Sequence, residues 1–295
     1  MISVIIIISS AIFAAVLLCR SRWERGQLRT ESCCIVNKYA PQGGLRIAFI
    51  SDVHDRLTEK GINEISAAVR REGAELIILG GDIITFRKGD KKLDGTGLVT
   101  ELIKMLSAAG PVFYAEGNHE LKARLKLPRE YEAFTKACSS AGAVIMSDSH
   151  EIYKGISFYC AALGSEYYRK MLPGLGRKEA MPDSYLIGKL GTADRNRMNI
   201  LIMHSPMYLE ETARWGADLV LSGHFHGGTI RLPFIGGLMT PQYQFFVREC
   251  AGIHKEKQCT MIVSRGIGTH SINLRLNDLP ELCIIDIMPQ ASDGI

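Results

Sequence analysis

The sequence predicts a mixed α/β layered fold, and three observations carry that prediction. Short, almost wholly apolar runs recur along the chain, as strands buried on both faces do. Helical hydrophobic spacing lies between several of them, which is the pattern of an α/β domain. Polar clusters stand at the C-terminal ends of five of the runs. The composition agrees: 295 residues, 46% hydrophobic and 22% charged, with a net charge of +4. Those values exclude disorder, which needs few apolar residues and high net charge, and 29 Gly and 10 Pro without a period exclude collagen-like and low-complexity classes. A modest positive charge, part of it near the N-terminus, gives no broad basic face, so no nucleic-acid partner is expected.

Taken in order, the chain opens on an uncharged apolar run over residues 2–19. About 18 apolar residues is near the minimum that crosses a bilayer core. No Lys or Arg precedes the run, so it lacks the positive n-region of a cleaved signal peptide. It also lacks the polar stripe of a surface helix, beyond Ser3, Ser9 and Ser10. We read residues 1–20 as a retained transmembrane anchor. Arg20, Arg22, Arg25 and Arg29 follow, against Glu24 and Glu31. By the positive-inside rule the remainder lies in the cytoplasm, making a single-pass cell-membrane protein, with Trp23 as an interfacial aromatic. Residues 21–44 read as a polar linker ending in Pro41-Gln42-Gly43-Gly44. Cys33 and Cys34 within it read as ordinary thiols, with acylation as the alternative. The eight cysteines form no CxxC pair, so neither a disulfide scaffold nor a zinc finger is implied.

Residues 45–295 read as one catalytic domain. Strand-like runs cover 45–50, 75–79, 112–115, 200–203, 219–221, 260–263 and 283–287. Helical spacing appears at 60–71, through Ile62, Ile65 and Val69, and at 98–108, through Leu98, Leu102, Ile103 and Leu106. Segments 130–140 and 208–215 are weaker helix candidates.

The chemistry sits at the strand ends. After 45–50 comes Ser51-Asp52-Val53-His54-Asp55; after 75–79, Gly80-Gly81-Asp82; after 112–115, Glu116-Gly117-Asn118-His119-Glu120. After 200–203 comes His204, and after 219–221, Ser222-Gly223-His224-Phe225-His226. Ligands of open α/β sheets bind at the carboxyl ends of strands, so neighbouring strands would bring all five clusters to one edge. Carboxylates and imidazoles without thiolates suit Mn, Zn or Fe. The candidate ligands are Asp52, His54, Asp82, Asn118, His204, His224 and His226. Seven such groups exceed what one ion takes; two ions about 3.5–4 Å apart would use them. Asp82, with two oxygens, could bridge.

The ordered set DxH, GGD, GNHE, H and GHFH resembles the calcineurin-like metallophosphoesterases, over roughly residues 45–290. The segments Gly223 to Pro233 and Ser264 to Thr269, with the leading anchor, are similar to the membrane-associated bacterial branch. The resemblance implies two central β-sheets flanked by helices, behind an N-terminal transmembrane helix. It implies Asp52, His54 and His226 on one metal, Asn118, His204 and His224 on the other, and Asp82 shared. His119 would contact the phosphoryl oxygen or protonate the leaving group, after in-line attack by a hydroxide bridging the two ions. The implied function is hydrolysis of phosphodiester or pyrophosphate bonds, with a UDP-diacylglucosamine-type lipid precursor as the sharpest version. The alternatives are a nonspecific phosphodiesterase or phosphatase and, in another class, a non-catalytic scaffold, which completeness of the ligand set disfavours. Segments 148–152 and 164–191 match no pattern, and 266–273 carries His270 and Asn273 where smaller or apolar residues are expected.

Other polar residues carry plainer expectations. His150, His254 and His270 read as ordinary polar residues. Asp55 and Glu120 read as supporting carboxylates rather than ligands. Arg265 reads equally as a phosphate contact or an ion pair. The charged stretch 86–94 reads as a solvated loop, and the Met and Leu residues at 171–172 and 181–186 as lipid-facing or core.

Overall fold

The computed structural model describes residues 2–87, 89–171, 178–269 and 273–290. Two six-stranded sheets pack face to face. The first runs β1 (Arg29–Asn37), β14 (Glu281–Pro289), β2 (Leu45–Ile50), β3 (Leu76–Leu79), β4 (Val112–Ala115), β5 (Ala143–Met146). Here β2 to β5 are parallel, and β14 pairs antiparallel with β2 and parallel with β1. The second runs β12 (Gly252–Glu256), β13 (Cys259–Val263), β9 (Leu219–Ser222), β8 (Asn199–Ile202), β7 (Ile156–Cys160), β6 (Ser149–Tyr153). Its four central strands are parallel and its two edges antiparallel.

Alternation along each strand builds the layers. Leu45, Ile47 and Phe49 of β2 enter the inter-sheet core with Ile78 of β3 and Phe113 of β4, and meet Phe158, Ile200, Ile202 and Leu221 from the second sheet. The intervening residues Ala48, Ile50, Ile77, Leu79 and Tyr114 face outward under helices α2 (Glu59–Glu72), α3 (Thr96–Ser107) and α5 (Pro128–Ser140). On the opposite side Leu201, Met203 and Val220 pack with Leu186 of α6 (Asp183–Leu190) and Ala213 and Trp215 of α7 (Leu209–Trp215). A strand buried on both faces has no polar face to spare. That is why these runs read as continuous apolar segments, and why polar groups are confined to their ends. The predicted α/β layered sandwich with two helix-flanked sheets is therefore the observed one.

The first 25 residues differ from expectation in one respect. Helix α1 spans Ile2–Arg25, longer than the predicted anchor, and its apolar 18-residue window has a mean hydropathy of 2.8 with none of it buried. The expected linker 21–44 is largely structured. Its start is the last turn of α1, and residues 29–37 form edge strand β1, in register with β14 from Arg29↔Glu281 to Asn37↔Pro289. The sequence hides this strand because an edge strand with one wet face needs only alternate apolar residues, and Cys33 and Ile35 are the ones that pack inward. Burial pushes the Cys33 thiol up to about 11, with Cys34 adding to the shift.

Candidate metal centre

The five polar clusters do converge. Strands β2, β3, β4, β8 and β9 are neighbours within their two sheets, and each delivers its cluster at its C-terminal end. Asp52, His54, Asp82, Asn118, His119, His204, His224 and His226 are all buried, none above 5% exposed. Three ligand-competent groups form: Asp52 with His54 and His226, Asp82 with His204 and His224, and Asp82 with His54 and His119. Asp82 is the hub. Its Oδ2 lies 3.3 Å from His204 Nε2, 3.7 Å from His54 Nε2 and 4.0 Å from His119 Nε2. Asp52 Oδ1 lies 3.3 Å from His226 Nε2 and 3.6 Å from His204 Nε2.

Local backbone geometry sets these groups. Asp52, His54, Asp82, His224 and His226 all have positive φ, between 42° and 69°. Asp and His tolerate this left-handed region better than most residues, yet five together store strain that packing must hold. Two glycines make the crowding possible. Gly81 has φ +94°, and a Cβ there would stand 2.6 Å from Gly117 N and 2.8 Å from His204 Nδ1. A Cβ on Gly117 would collide with the Asp82 carboxylate. Backbone bonds lace the loops together: Asp52 N donates to Gly81 O (3.0 Å), Val53 N to Asp82 O (3.0 Å) and Gly223 N to His204 O (3.0 Å).

Supporting groups orient the imidazoles. His204 Nδ1 lies 2.8 Å from Gly80 O and His226 Nδ1 3.3 Å from Gly268 O. A carbonyl only accepts, so in the neutral ring Nδ1 carries the hydrogen and Nε2 is the lone-pair nitrogen toward the centre, the usual arrangement of a metal-binding histidine. His119 is the opposite case. Its Nδ1 accepts from Phe86 N at 2.8 Å, so in the neutral ring Nε2 carries the proton. Burial holds His119 below its ordinary value, against the pull of Asp82. Glu120, at the first turn of α4 (Asn118–Lys126), accepts from Asp82 N (2.8 Å), Ile83 N (2.9 Å), Ile84 N (3.2 Å), Gly117 N (3.0 Å) and Tyr114 Oη (2.9 Å). Burial, and then the Asp82 charge, push Glu120 up to about 7.

The electrostatics ask for cations. Burial would lower His204, but Asp82 and Asp52 overcome it and push the ring up to about 10. Burial would likewise raise Asp82, yet His204, His119 and His54 hold it well below the carboxylate range. Positive charge is thus favoured between two fully buried carboxylates. The Asn118 amide joins the same cluster, within 2.7 Å of His224 Nδ1, 3.1 Å of Asp82 Oδ2 and 3.2 Å of Lys122 Nζ. Buried carboxylate and imidazole groups close enough to share an ion, without a thiolate among them, fit divalent ions.

Asp55 is a support, accepting from Thr269 N at 2.6 Å, and Glu120 is one too. Arg265 pairs with Glu281 at 3.7 Å rather than entering the site. His150 stacks on Tyr159 and His254 Nε2 lies 3.1 Å from Ala251 O, both away from the centre. His270 and Leu172 lie outside the described residues. Met181 and Leu186 are core. The described residues of 86–94 form a loop, but the first of them, Phe86, is buried and orients His119. Segments 148–152 and 164–191 contain β6, a short 3-10 turn at Ser165–Tyr168 and α6.

Two neighbours went unread in the sequence. Tyr168 stands edge-on to His224, with ring centroids 5.1 Å apart. Lys122 follows Asn118 by four residues on α4, a spacing that puts both on one face. That spacing was the available signal; Tyr168 gave none.

Comparison with known proteins decides the family. The family described as "Calcineurin-like phosphoesterase" matches residues 45–228. The chain belongs to this family. It is a metal-dependent phosphoester hydrolase. Among its relatives, the "Uncharacterized metallophosphoesterase YkuE" of Bacillus subtilis is 26% identical over 269 residues, covering 90% of this chain and 87% of that one. The "Phosphodiesterase YaeI" of Escherichia coli is 23% identical over 247 residues, covering 82% of each chain. Among solved structures, a dimetal phosphatase from Danio rerio aligns with a TM-score of 0.39 at 11% identity, over 77% of this chain and 88% of that one.

Proposed function

We propose that this phosphoesterase is membrane-anchored and cleaves phosphodiester or pyrophosphate bonds at a dinuclear centre. Asp52, His54 and His226 would hold one ion and Asn118, His204 and His224 the other, with Asp82 between them. The observation that carries this reading is Asp82 at the hub, its Oδ2 within 3.3–4.0 Å of three imidazole nitrogens from three different strand ends. Bound ions would acidify water and neutralise phosphoryl charge. The protein's own residues supply the rest. His119, bonded at Nδ1 by Phe86 N, offers an Nε2 proton to the departing oxygen, a general-acid role. Glu120 keeps the Asp82 and Asn118 loops at a fixed separation. Tyr168 and Lys122 line the approach beside His224 and Asn118.

The diester preference follows a relative named as a phosphodiesterase. Helix α1 supports the anchoring. Its apolar run is exposed, and the helix continues without a break into a last turn whose Ser21 and Glu24 are buried in the body. A helix of 24 residues is about 36 Å long, enough to cross a bilayer and dock. Arg20, Arg22, Arg25 and Arg29 favour a cytoplasmic catalytic domain. We assign residues 1–20 to the membrane and 21–295 to the catalytic body. An anchored site suits a lipid-linked phosphoester. The test is metal-dependent hydrolysis by the full chain, screened on a diester, a monoester and a lipid pyrophosphate. Activity on the diester or pyrophosphate is expected; activity on the monoester alone overturns the substrate class.

A further inference from the structure

Beside the metal centre lies an apolar surface that the hydrolytic site does not use. Residues Arg231–Leu232 and Gly236–Gly237 pair as the small hairpin β10–β11, with Phe234 and Ile235 at its tip. Phe234 is fully exposed and Ile235 58% exposed. A second loop runs against the hairpin: Phe246 N donates to Leu238 O, and Met239 bridges Phe245. It adds Phe245 and Phe246, 49% and 55% exposed. Water-facing Phe and Ile at two adjoining tips are not ordinary surface chemistry. The backbone is strained there as well. Phe234, Tyr243 and Phe246 all have positive φ, from 56° to 67°, where bulky side chains are rare.

Position decides what this surface meets. On one side the hairpin grows out of the His226 turn: Gly228 follows His226 by two residues, and Gly228 O accepts from Met239 N at 3.3 Å. On the other side its base joins the segment that clamps α1. Arg231 N donates to Leu276 O and Leu276 N to Thr229 O. In the same segment Arg275 N donates to Ser21 Oγ (3.0 Å) and Asp278 N to Glu24 Oε2 (3.2 Å). The apolar helix, the apolar tips and the metal-site turn thus hang on one short stretch of chain.

We propose that the paired loops 231–237 and 243–246 are a second bilayer contact, dipping Phe234, Ile235, Phe245 and Phe246 into the lipid surface that α1 crosses and holding the metal centre against lipid headgroups. The proposal rests on the anchored reading above, because the bilayer is there only if α1 spans it. Aromatic side chains favour the interfacial zone, and Lys170, whose Nζ donates to Tyr243 Oη at 2.8 Å, sits at the foot of the second loop, where anionic headgroups would meet it.

The test uses the full chain in lipid nanodiscs carrying a shallow spin-labelled quenching lipid. The two natural tryptophans are Trp23 and Trp215. Comparing wild type with W23F isolates Trp23, which reports the anchor; W23F/F234W and W23F/F246W report the two tips. Expected is a blue-shifted emission and loss of fluorescence for Trp23 and for both introduced tryptophans. Quenching of Trp23 without quenching of either tip overturns the second contact and leaves the anchor standing. No quenching at any of the three overturns both. A tip shielded from lipid and aqueous quenchers alike is covered by protein, which also overturns the proposal. Should F234W fail to fold, F246W carries the measurement.

Discussion

Glu120→Gln tests how the metal-site loops are held. Glu120 does not face the centre; it satisfies backbone. Oε1 takes Ile83 N, Ile84 N and Tyr114 Oη, and Oε2 takes Asp82 N and Gly117 N, all at 2.8–3.2 Å. A glutamine has the same shape but one acceptor oxygen. Whichever way its amide turns, an NH₂ group faces at least two buried N–H donors and orphans them. Each orphaned buried donor costs about 1–3 kcal/mol, so the substitution should cost about 2–6 kcal/mol. That is a large part of the roughly 5–15 kcal/mol that holds a typical domain. Denaturant unfolding of the full chain in detergent measures it, with elemental analysis of bound metal alongside. We expect a lower midpoint and reduced metal content, because Asp82 N and Gly117 N are the hinges of two ligand loops. An unchanged midpoint with full metal would refute the argument that the carboxylate is the brace.

Three further outcomes follow from the same geometry. His119→Ala should keep the metal content and lower turnover about 10²–10⁴-fold, the usual weight of a general acid; loss of metal would make His119 a ligand instead. Gly117→Ala should empty the centre, since the added carbon meets the Asp82 carboxylate, and elemental analysis reads it directly. Asp278→Asn should flatten part of the pH dependence of stability. Burial, against the pull of Arg275, pushes Asp278 up to about 6 from its ordinary 3.8. A raised acid opposes folding as it ionises, so the wild type should lose stability relative to the variant as pH rises from about 4 to 6, with a constant difference above. Parallel unfolding curves across that window would contradict it.

The sequence makes legible what two-sided burial imposes. Strands β2, β3, β4, β8 and β9 are apolar on both faces, so their limits and the polar clusters beyond them stand out. The whole candidate ligand set can be read from strand ends for that reason. What escapes reading lies where one face is wet or where function overrides pattern. Strand β1 alternates Cys33 and Ile35 with exposed neighbours and reads as linker. Helix α4 begins at Asn118 itself, so its first turn is spent on the site and shows little apolar periodicity. Lys122 and Tyr168 become visible as neighbours only once α4 and the turn at 165–168 are in place.

Arg275 ties the last turn of helix α1 to the metal-site loops. It is fully buried, donating to the carbonyls of Arg265 (2.8 Å) and Gly266 (2.9 Å), to that of Gly268, and to Asp278 Oδ2 (3.3 Å). Gly268 O is also the carbonyl that orients His226, and Gly268 N donates to Asp52 O at 2.6 Å. The same segment grips α1, through Arg275's own backbone N on Ser21 and Asp278 N, three residues later, on Glu24. A buried guanidinium with four carbonyls, that of Asp278 included, and a carboxylate is stable only if all of them stay in place, and breaking such a set by removing one member typically costs about 3–5 kcal/mol. Arg275→Met should therefore loosen the helix end and the His226 and Asp52 loops together. Proteolysis at the end of α1 and metal loss should rise in parallel in that variant. If only one of them changed, the last turn of α1 and the metal loops would be separate units, and the helix would tether the enzyme without positioning it.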